Sequence, residues 1–256
     1  MPVLAALTNG SPHSWIILNA LVARFGPVTV LVEEKEPRGA VLRRRIRRQG
    51  LLRVAGQLGF VALQRLLARR ARRRIREILA SRGLDPRPHP GCEVVQVGSV
   101  NSQACRAELG RLKPDVVLVF GTRILRRETL QAIQALHAPV LNLHSGITPK
   151  YRGQAGGYWA LAMGDPEHAG VTVHLVDEGV DTGAVIAQAP FRPEPGDSFP
   201  TYFYLQADAF RPLVVQAVED VLQGRLSTWD PGLPSAQYFH PTLWGYVWTG
   251  LRRGVW

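Results

Sequence analysis

Between residues 3 and 143, short apolar runs alternate with longer segments in which apolar residues recur at helical spacing. The runs are rich in valine and leucine and have the length of strands, while the segments between them resemble single amphipathic helices. The predicted strands are 3–7, 28–32, 93–97, 115–120 and 139–143, and the predicted helices include 15–25, 102–112 and 126–136. This alternation favours an α/β fold with a mainly parallel sheet that helices cover on both faces.

The pattern changes after Gly170, where apolar and polar residues alternate through Leu175. A further apolar run at 185–191 follows a turn-rich segment at 177–183, which predicts two neighbouring strands joined by a shaped loop. A long helix is predicted at 199–222.

Chain length is compatible with one large domain and an appendage. We assign residues 1–226 to the domain, with a helical insert at about 35–83. Residues 227–256 contain several prolines and a concentration of aromatic residues. They are too few for an independent core, so we expect them to form a tail packed on the domain.

The insert accounts for most of the net charge of +11, because thirteen arginines lie between Arg43 and Arg76. Its pattern predicts a pair of amphipathic, strongly basic helices. An apolar stripe is formed by Leu52, Ala55, Gly59, Ala62 and Leu66. One interpretation is a solvated face that packs on the core through its leucines. The alternative is peripheral contact with an anionic membrane or another polyanion. Phe60 is the one aromatic residue there, so the segment carries no strong nucleic-acid signal.

The compartment is predicted from what the sequence lacks. No secretory signal follows Met1, and no apolar run reaches the roughly 18 residues of a spanning helix. Cys92 and Cys105 lie outside any C-x-x-C spacing, which predicts neither a disulfide framework nor a zinc site. We expect a cytoplasmic protein without a metal, peripheral at the inner membrane face if the insert contacts a membrane.

Polar residues at the end of a predicted strand carry the candidate chemistry. Asn142 and His144 are two residues apart, so they project to one side of the strand near its C-terminal end. Ligands bind at that end of parallel α/β sheets. Asp181 follows within a glycine-flanked turn that can bring a carboxylate close to them. By contrast, we interpret His174 in the middle of the next strand as structural.

These three residue types can together transfer an acyl group to an amine. Asn142 and a protonated His144 can donate hydrogen bonds to the oxyanion that develops as the amine attacks. Asp181 can stabilise the imidazolium and, through a water molecule, help to remove the proton that the amine loses. No serine or cysteine nucleophile is required.

Two motifs resemble the folate-dependent formyltransferase superfamily, which includes glycinamide ribonucleotide, methionyl-tRNA and sugar N-formyltransferases. They are Asn-Leu-His-Ser-Gly-Ile-Thr-Pro-Lys-Tyr-Arg-Gly at 142–153 and Gly-Val-Thr-Val-His-Leu-Val-Asp-Glu-Gly-Val-Asp-Thr-Gly at 170–183. The resemblance implies a Rossmann-like catalytic domain, 10-formyltetrahydrofolate as donor, and Asn142, His144 and Asp181 as the catalytic set. It also implies that backbone groups hold the pterin, at positions that correspond to Arg123, Ile124, Leu125, Asp177 and Val180.

The acceptor is predicted less directly. Asn9, Gly10 and Ser11 follow the first strand, where a helix N-terminus can bind a phosphate, and Arg152 could contact an acidic substrate. An ordinary capped turn explains Asn9–Ser11 equally well. The insert and the tail favour a small phosphorylated or nucleotide-linked amine, such as an amino sugar.

Four alternatives stay open. A glycinamide ribonucleotide formyltransferase is one, and a methionyl-tRNA formyltransferase ranks lower because its C-terminal OB-like domain has no counterpart here. A non-catalytic basic binding module could use the same fold, and formyl transfer to water would make the protein a hydrolase.

Overall fold

Nine strands are present in the computed structural model, which describes residues 1–256. In chain order they are β1 (Leu4–Thr8), β2 (Val28–Glu33), β3 (Cys92–Val97), β4 (Val116–Phe120), β5 (Val140–His144), β6 (Arg152–Gly153), β7 (Gly170–Leu175), β8 (Val185–Pro190) and β9 (Gln237–Tyr238). Seven of them form the central sheet, in the order β3-β2-β1-β4-β5-β7-β8, while β6 and β9 pair separately.

Nine α-helices connect or cover these strands. In chain order they are α1 (Pro12–Phe25), α2 (Arg38–Gln49), α3 (Leu51–Leu66), α4 (Ala68–Ser81), α5 (Gln103–Leu112), α6 (Arg127–Gln134), α7 (Gly156–Ala162), α8 (Phe199–Leu222) and α9 (Leu243–Arg253). The predicted helix at 199–222 coincides with α8, whose first turn is closed by a capping box between Ser198 and Thr201.

The sheet is mainly parallel, as predicted. Strands β3, β2, β1, β4 and β5 run in the same direction. Strand β7 is antiparallel to β5, and β8 is antiparallel to β7 and so runs in the same direction as the five parallel strands. Alternate residues of β1 enter different cores: Leu4 and Ala6 pack with α1 and α8, while Ala5 and Leu7 pack with α5 and α6. This double burial explains why the parallel strands read as continuous apolar runs.

The basic insert differs from its prediction in two respects. It contains three helices (α2, α3 and α4) rather than two. The stripe expected to pack on the core is also largely solvent-exposed, with Leu52 and Leu66 at 76% and 80% exposure. The buried side of α3 instead carries Val54, Gly56, Gln57 and Phe60.

The C-terminal segment decides which side of α3 is buried. Helix α9 packs on α3, with Trp244 lying against Gly56 and Leu243 against Gly59. A Cβ at Gly56 would lie 2.3 Å from the Trp244 ring, so only glycine permits this approach. Tyr246 is fully buried beneath the same contact.

No single helix is long and apolar enough to cross a membrane. Only taken together do helices α3 and α4, which are bent by 65° relative to each other, have the length and apolar composition of a membrane-spanning segment.

Two partly buried histidines lie outside the predicted site, His13 and His240. Burial lowers the pKa of both His13 and His240 to about 4. An unfolded histidine titrates near about 6.5, so the unfolded chain binds more protons between pH 6.5 and 4. We therefore expect the free energy of unfolding to decrease as the pH falls through this window. Urea unfolding at pH 7 and pH 5 measures the decrease.

The variant His240→Gln should reduce this pH dependence, because it removes one buried group that resists protonation. The exposed His89 provides the matched control, and His89→Gln should retain the full dependence. An equal decrease in stability for the His240→Gln variant and the unmodified chain would contradict the prediction.

Candidate active site

The side chains of Asn142, His144 and Asp181 meet at one point beside β5. Asn142 Nδ2 donates to Asp181 Oδ1 at 3.1 Å, and His144 Nδ1 lies 3.3 Å from Asp181 Oδ2. One carboxylate therefore contacts both residues of β5, each through a different oxygen. The side chains of His144 and Asp181 are only 6% and 16% exposed, so these contacts lie in a largely dry environment.

The loop between β7 and β8 is shaped to hold the Asp181 carboxylate in this position. Asp181 has a left-handed backbone, with φ of 51°, and its Oδ2 also accepts a hydrogen bond from Gly153 N at 2.9 Å. Arg152 Nη1 donates to the carbonyl oxygen of Val180 at 2.7 Å. At Gly183 a Cβ would overlap the Leu175 carbonyl, so the end of the turn requires glycine. The segment after β5 thus supports the loop that follows β7.

His174 also belongs to this cluster, so its interpretation as a structural residue was incomplete. Its Nδ1 donates to the carbonyl oxygen of Leu175 at 2.7 Å, which leaves Nε2 free to accept. Asn142 Nδ2 lies 2.9 Å from that nitrogen, and Asp181 Oδ1 lies 3.7 Å from it. The two amide hydrogens of Asn142 therefore point towards two acceptors, His174 Nε2 and Asp181 Oδ1.

Burial and hydrogen bonding act in opposite directions on the charged groups. Burial would raise the pKa of Asp181, but the adjacent imidazoles of His144 and His174 and the Gly153 N–H outweigh it and hold the pKa at about 2. Asp181 is therefore a carboxylate at neutral pH. Burial lowers the pKa of His144, against the opposing influence of Asp181. The neutral imidazole is thus favoured in the resting site.

Both ring nitrogens of His144 nevertheless face hydrogen-bond acceptors. Nε2 lies 2.8 Å from the carbonyl oxygen of Tyr151, and Nδ1 faces Asp181. Only the imidazolium can donate to both. The site therefore disfavours a charged His144 by burial but provides two partners for that charge once it forms.

The loop after β5 folds back closely over the imidazole. A Cβ at Gly146 would lie 2.5 Å from the Tyr151 carbonyl oxygen and 2.8 Å from His144 Nε2. Thr172 fixes the same loop, because its hydroxyl donates to the Gly146 carbonyl and accepts from Thr148 N. The ring of His144 is thereby held in one orientation.

A family model described as Formyl transferase matches residues 68–207, which is more than half of the chain. The chain belongs to the formyl transferase family. Both motifs that carried the predicted resemblance, at 142–153 and 170–183, lie inside the matched residues. The recognition of this superfamily from the sequence is therefore confirmed.

The chain is also similar to a curated relative over part of that relative's length. A methionyl-tRNA formyltransferase of Acidobacterium capsulatum is 34% identical over 139 residues, which cover 54% of this chain and 43% of the relative. The present chain thus matches less than half the length of that curated relative.

Solved structures share the fold at lower identity. Glycinamide ribonucleotide transformylase 1 of Symbiobacterium toebii has a TM-score of 0.55 at 21% identity, over 90% of this chain and 91% of that one. The N-formyltransferase of Helicobacter canadensis, in complex with folinic acid and dTDP-3-aminofucose, has a TM-score of 0.53 at 15% identity. That alignment covers 93% of this chain and 71% of the other. The fold class predicted from the sequence is confirmed.

The segment predicted to hold the pterin follows β4. The Arg123 side chain is directed towards the β2 and β3 ends, where it donates to the carbonyl oxygens of Gly98 and Glu34. Ile124 is more than half exposed, and its carbonyl accepts from Asn101. Leu125 is buried in the core on the α5–α6 side.

The other two residues predicted near the pterin have local partners. Asp177 caps the turn, because its carboxylate accepts from Gly179 N and from the Thr182 hydroxyl. The carbonyl of Val180 is occupied by Arg152. In the structure these residues shape the loop that carries Asp181.

The predicted acceptor residues lie in two places. Asn9 Oδ1 accepts from Ser11 N at 3.0 Å, which is the hydrogen bond of a side-chain-closed turn. The Asn9 amide packs against Gly121 at the end of β4, so this turn lies beside the predicted pterin segment. Gly10 has a left-handed backbone, with φ of 66°. Arg152 is bound to Val180 and Ser235, which makes it an anchor between the loop and the tail.

Glu33 is a site-supporting residue that the sequence analysis missed. It is a buried carboxylate at the end of β2, and it accepts hydrogen bonds from the backbone N–H groups of Val100 and Arg123. It also forms an ion pair with the Arg123 side chain at 3.2 Å. The acidic residue that closes the apolar run of β2 was the available signal, because a buried charge requires partners.

Proposed function

We propose that this formyl transferase family member moves a formyl group from 10-formyltetrahydrofolate to the primary amine of a small acceptor. The acceptor class that we favour is a phosphorylated or nucleotide-linked amine such as an amino sugar. The observation that carries the proposal is the contact of one carboxylate, Asp181, with both Asn142 and His144.

The reaction follows from what each group can donate or accept. The acceptor amine attacks the formyl carbon, and the carbonyl oxygen becomes an oxyanion beside His144 and Asn142. The Asn142 amide would donate to this oxyanion in place of its resting contact with His174 or Asp181. The amine loses a proton, which neutral His144 can take directly or through a water molecule. The resulting imidazolium is then paired with the carboxylate of Asp181. As the tetrahedral intermediate collapses, the imidazolium returns the proton to the tetrahydrofolate nitrogen, which leaves as the free amine.

The folate would lie against the segment that follows β4 and the loop that carries Asp181. The N–H and C=O groups of Leu125 form no hydrogen bond within the chain, and the neighbouring Ile124 is exposed. Such groups suit a flat heterocycle that has donors and acceptors along one edge. Glu33 fixes the backbone of Arg123, which would keep this segment in place without substrate.

Support for the acceptor class comes from surroundings of the site and from the relatives. The turn at Asn9–Ser11 ends at the N-terminus of α1, where a phosphate group is favoured. The Helicobacter canadensis N-formyltransferase has the same fold and was solved in complex with the nucleotide-linked amino sugar dTDP-3-aminofucose. Glycinamide ribonucleotide remains the main alternative acceptor, and methionyl-tRNA ranks below it. The unpaired state of Cys92 and Cys105 is consistent with the reducing cytoplasm in which we place the enzyme.

The decisive experiment is an assay with the full chain, 10-formyltetrahydrofolate and a panel of amines. The panel comprises nucleotide-linked amino sugars, glycinamide ribonucleotide and methionyl-tRNA, with tetrahydrofolate release as the readout. We expect release with a nucleotide-linked amino sugar. A folded protein that releases tetrahydrofolate with none of these amines would count against the proposal, and formate release without an amine would identify a hydrolase instead.

A further inference from the structure

Two adjacent helices expose a set of large apolar side chains that we call the α3–α9 face. Its members are Leu51, Leu52, Leu58 and Leu66 of α3 and Trp244, Trp248 and Leu251 of α9. Each is between 51% and 80% exposed. Only three other large hydrophobic residues in the whole chain are more than half exposed, so this exposure is concentrated on one surface.

The two halves of the α3–α9 face adjoin. On α9, Trp244, Trp248 and Leu251 recur at intervals of four and three residues, which places them along one side of the helix. The Trp244 ring lies over Gly56 of α3, and Leu52 and Trp244 line the same cavity of about 340 Å³. An apolar surface therefore continues from α3 onto α9.

Positive charge without ion-pair partners is concentrated on α3 and on the helices α2 and α4 that contact it. From Arg38 to Ser81 the chain has fourteen arginines, and Glu77 is the one acidic residue. Ten of the thirteen arginines between Arg43 and Arg76 make no ion pair. On α9, the Arg252 guanidinium lies 4.2 Å from the centre of the Trp248 ring. The arrangement combines leucines, tryptophans and free guanidinium groups.

We propose that the α3–α9 face docks on the surface of an anionic phospholipid bilayer. The leucines and tryptophans enter the boundary between headgroups and acyl chains, where tryptophan is favoured. The unpaired arginines of α2, α3 and α4 bind lipid phosphates beside them. Burial removes the exposed apolar side chains from water, and the anionic lipids neutralise the basic segment.

Other occupants fit these observations less well. A second copy of the chain would bring two strongly basic segments together, and like charges oppose that contact. A nucleic acid would neutralise the arginines but leave the exposed leucines against a charged backbone, without an apolar partner. A bilayer satisfies both the charge and the apolar surface at once.

Vesicle sedimentation with the full chain tests the proposal without any need for enzyme activity. The probes are vesicles of phosphatidylcholine alone and of phosphatidylcholine with 30% phosphatidylglycerol, an anionic fraction of about one third that gives a strongly negative surface. The face variant is Leu52→Gln/Leu58→Gln/Trp248→Gln, and all three of these side chains are exposed, so folding should be retained. Val94→Gln, an exposed apolar position on edge strand β3, is the matched control.

We expect binding to the anionic vesicles only, with the face variant weakened at least about tenfold and the control unchanged. Brominated lipids should quench tryptophan fluorescence of the unmodified chain and of the Val94→Gln control. Absence of binding to anionic vesicles would overturn the proposal, as would equal binding by the face variant. Resistance to extraction by alkaline carbonate would overturn surface docking in favour of insertion. A dimer that only the face variant abolishes would identify a second copy as the occupant.

Discussion

The substitution Asp181→Asn is expected to lower kcat/KM for formyl transfer by about 10²–10⁴-fold while leaving the chain folded. The Asp181 carboxylate is ionised throughout the neutral range, because its pKa is held at about 2. It is the counter-charge for the imidazolium of His144 and an acceptor for Asn142. An asparagine keeps the shape but removes the charge, so the developing imidazolium loses its stabilisation.

The matched control for this variant is Asp230→Asn. Asp230 also accepts a backbone hydrogen bond, from Gly232 N at 2.9 Å, but it is exposed and contacts none of the three site residues. The Asp230→Asn variant should transfer formyl groups as fast as the unmodified chain. Initial rates over a range of acceptor and folate concentrations, together with urea unfolding midpoints, separate a chemical defect from a folding defect. Near-normal activity of a folded Asp181→Asn variant would contradict the catalytic role.

The central sheet could be predicted from the sequence because its signal is local. Strands β1, β2, β4 and β5 are buried on both faces, so each appears as an apolar run of strand length. The predicted convergence of Asn142 and His144 rested on the same local property, the two-residue period of a strand. Asp181 was predicted from the motif, and the structure supplies the geometry: a left-handed residue and a Gly153 N–H that direct its carboxylate.

The parts that were missed depend on partners that are remote in sequence. His174 reaches Asn142 only because β7 lies antiparallel to β5 in a register that pairs these two residues. The exposed side of α3 was assigned to the core because amphipathic periodicity does not identify which apolar side finds a partner. Gly56 and Gly59 decide it, by admitting a helix that begins at Leu243. Neither the pairing of β7 with β5 nor the packing of α9 on α3 can be predicted from a short local stretch of sequence.

The substitution Arg74→Met is expected to lower the free energy of unfolding by about 3 kcal/mol, since it leaves a buried carboxylate without its cation. Arg74 Nε donates to Asp197 Oδ1 at 2.8 Å, and the Asp197 side chain is 0% exposed. The same guanidinium also contacts Glu194 at 2.8 Å. These ion pairs join α4 of the insert to the segment that precedes α8. Losing these ion pairs should weaken the attachment of α4 to the segment before α8. It should also leave the buried carboxylate of Asp197 without a cation.

The neighbouring residue provides a closely matched control for Arg74. Arg73 is on the same helix and pairs with Glu77, but its side chain is 82% exposed, so Arg73→Met should change stability by less than about 1 kcal/mol. The double variant Arg74→Met/Asp197→Asn should recover part of the loss, because it removes the stranded charge together with its partner. Chemical denaturation of the three variants at pH 7 measures these differences. Equal effects of Arg73→Met and Arg74→Met would show that burial of Asp197 does not govern the stability of this contact.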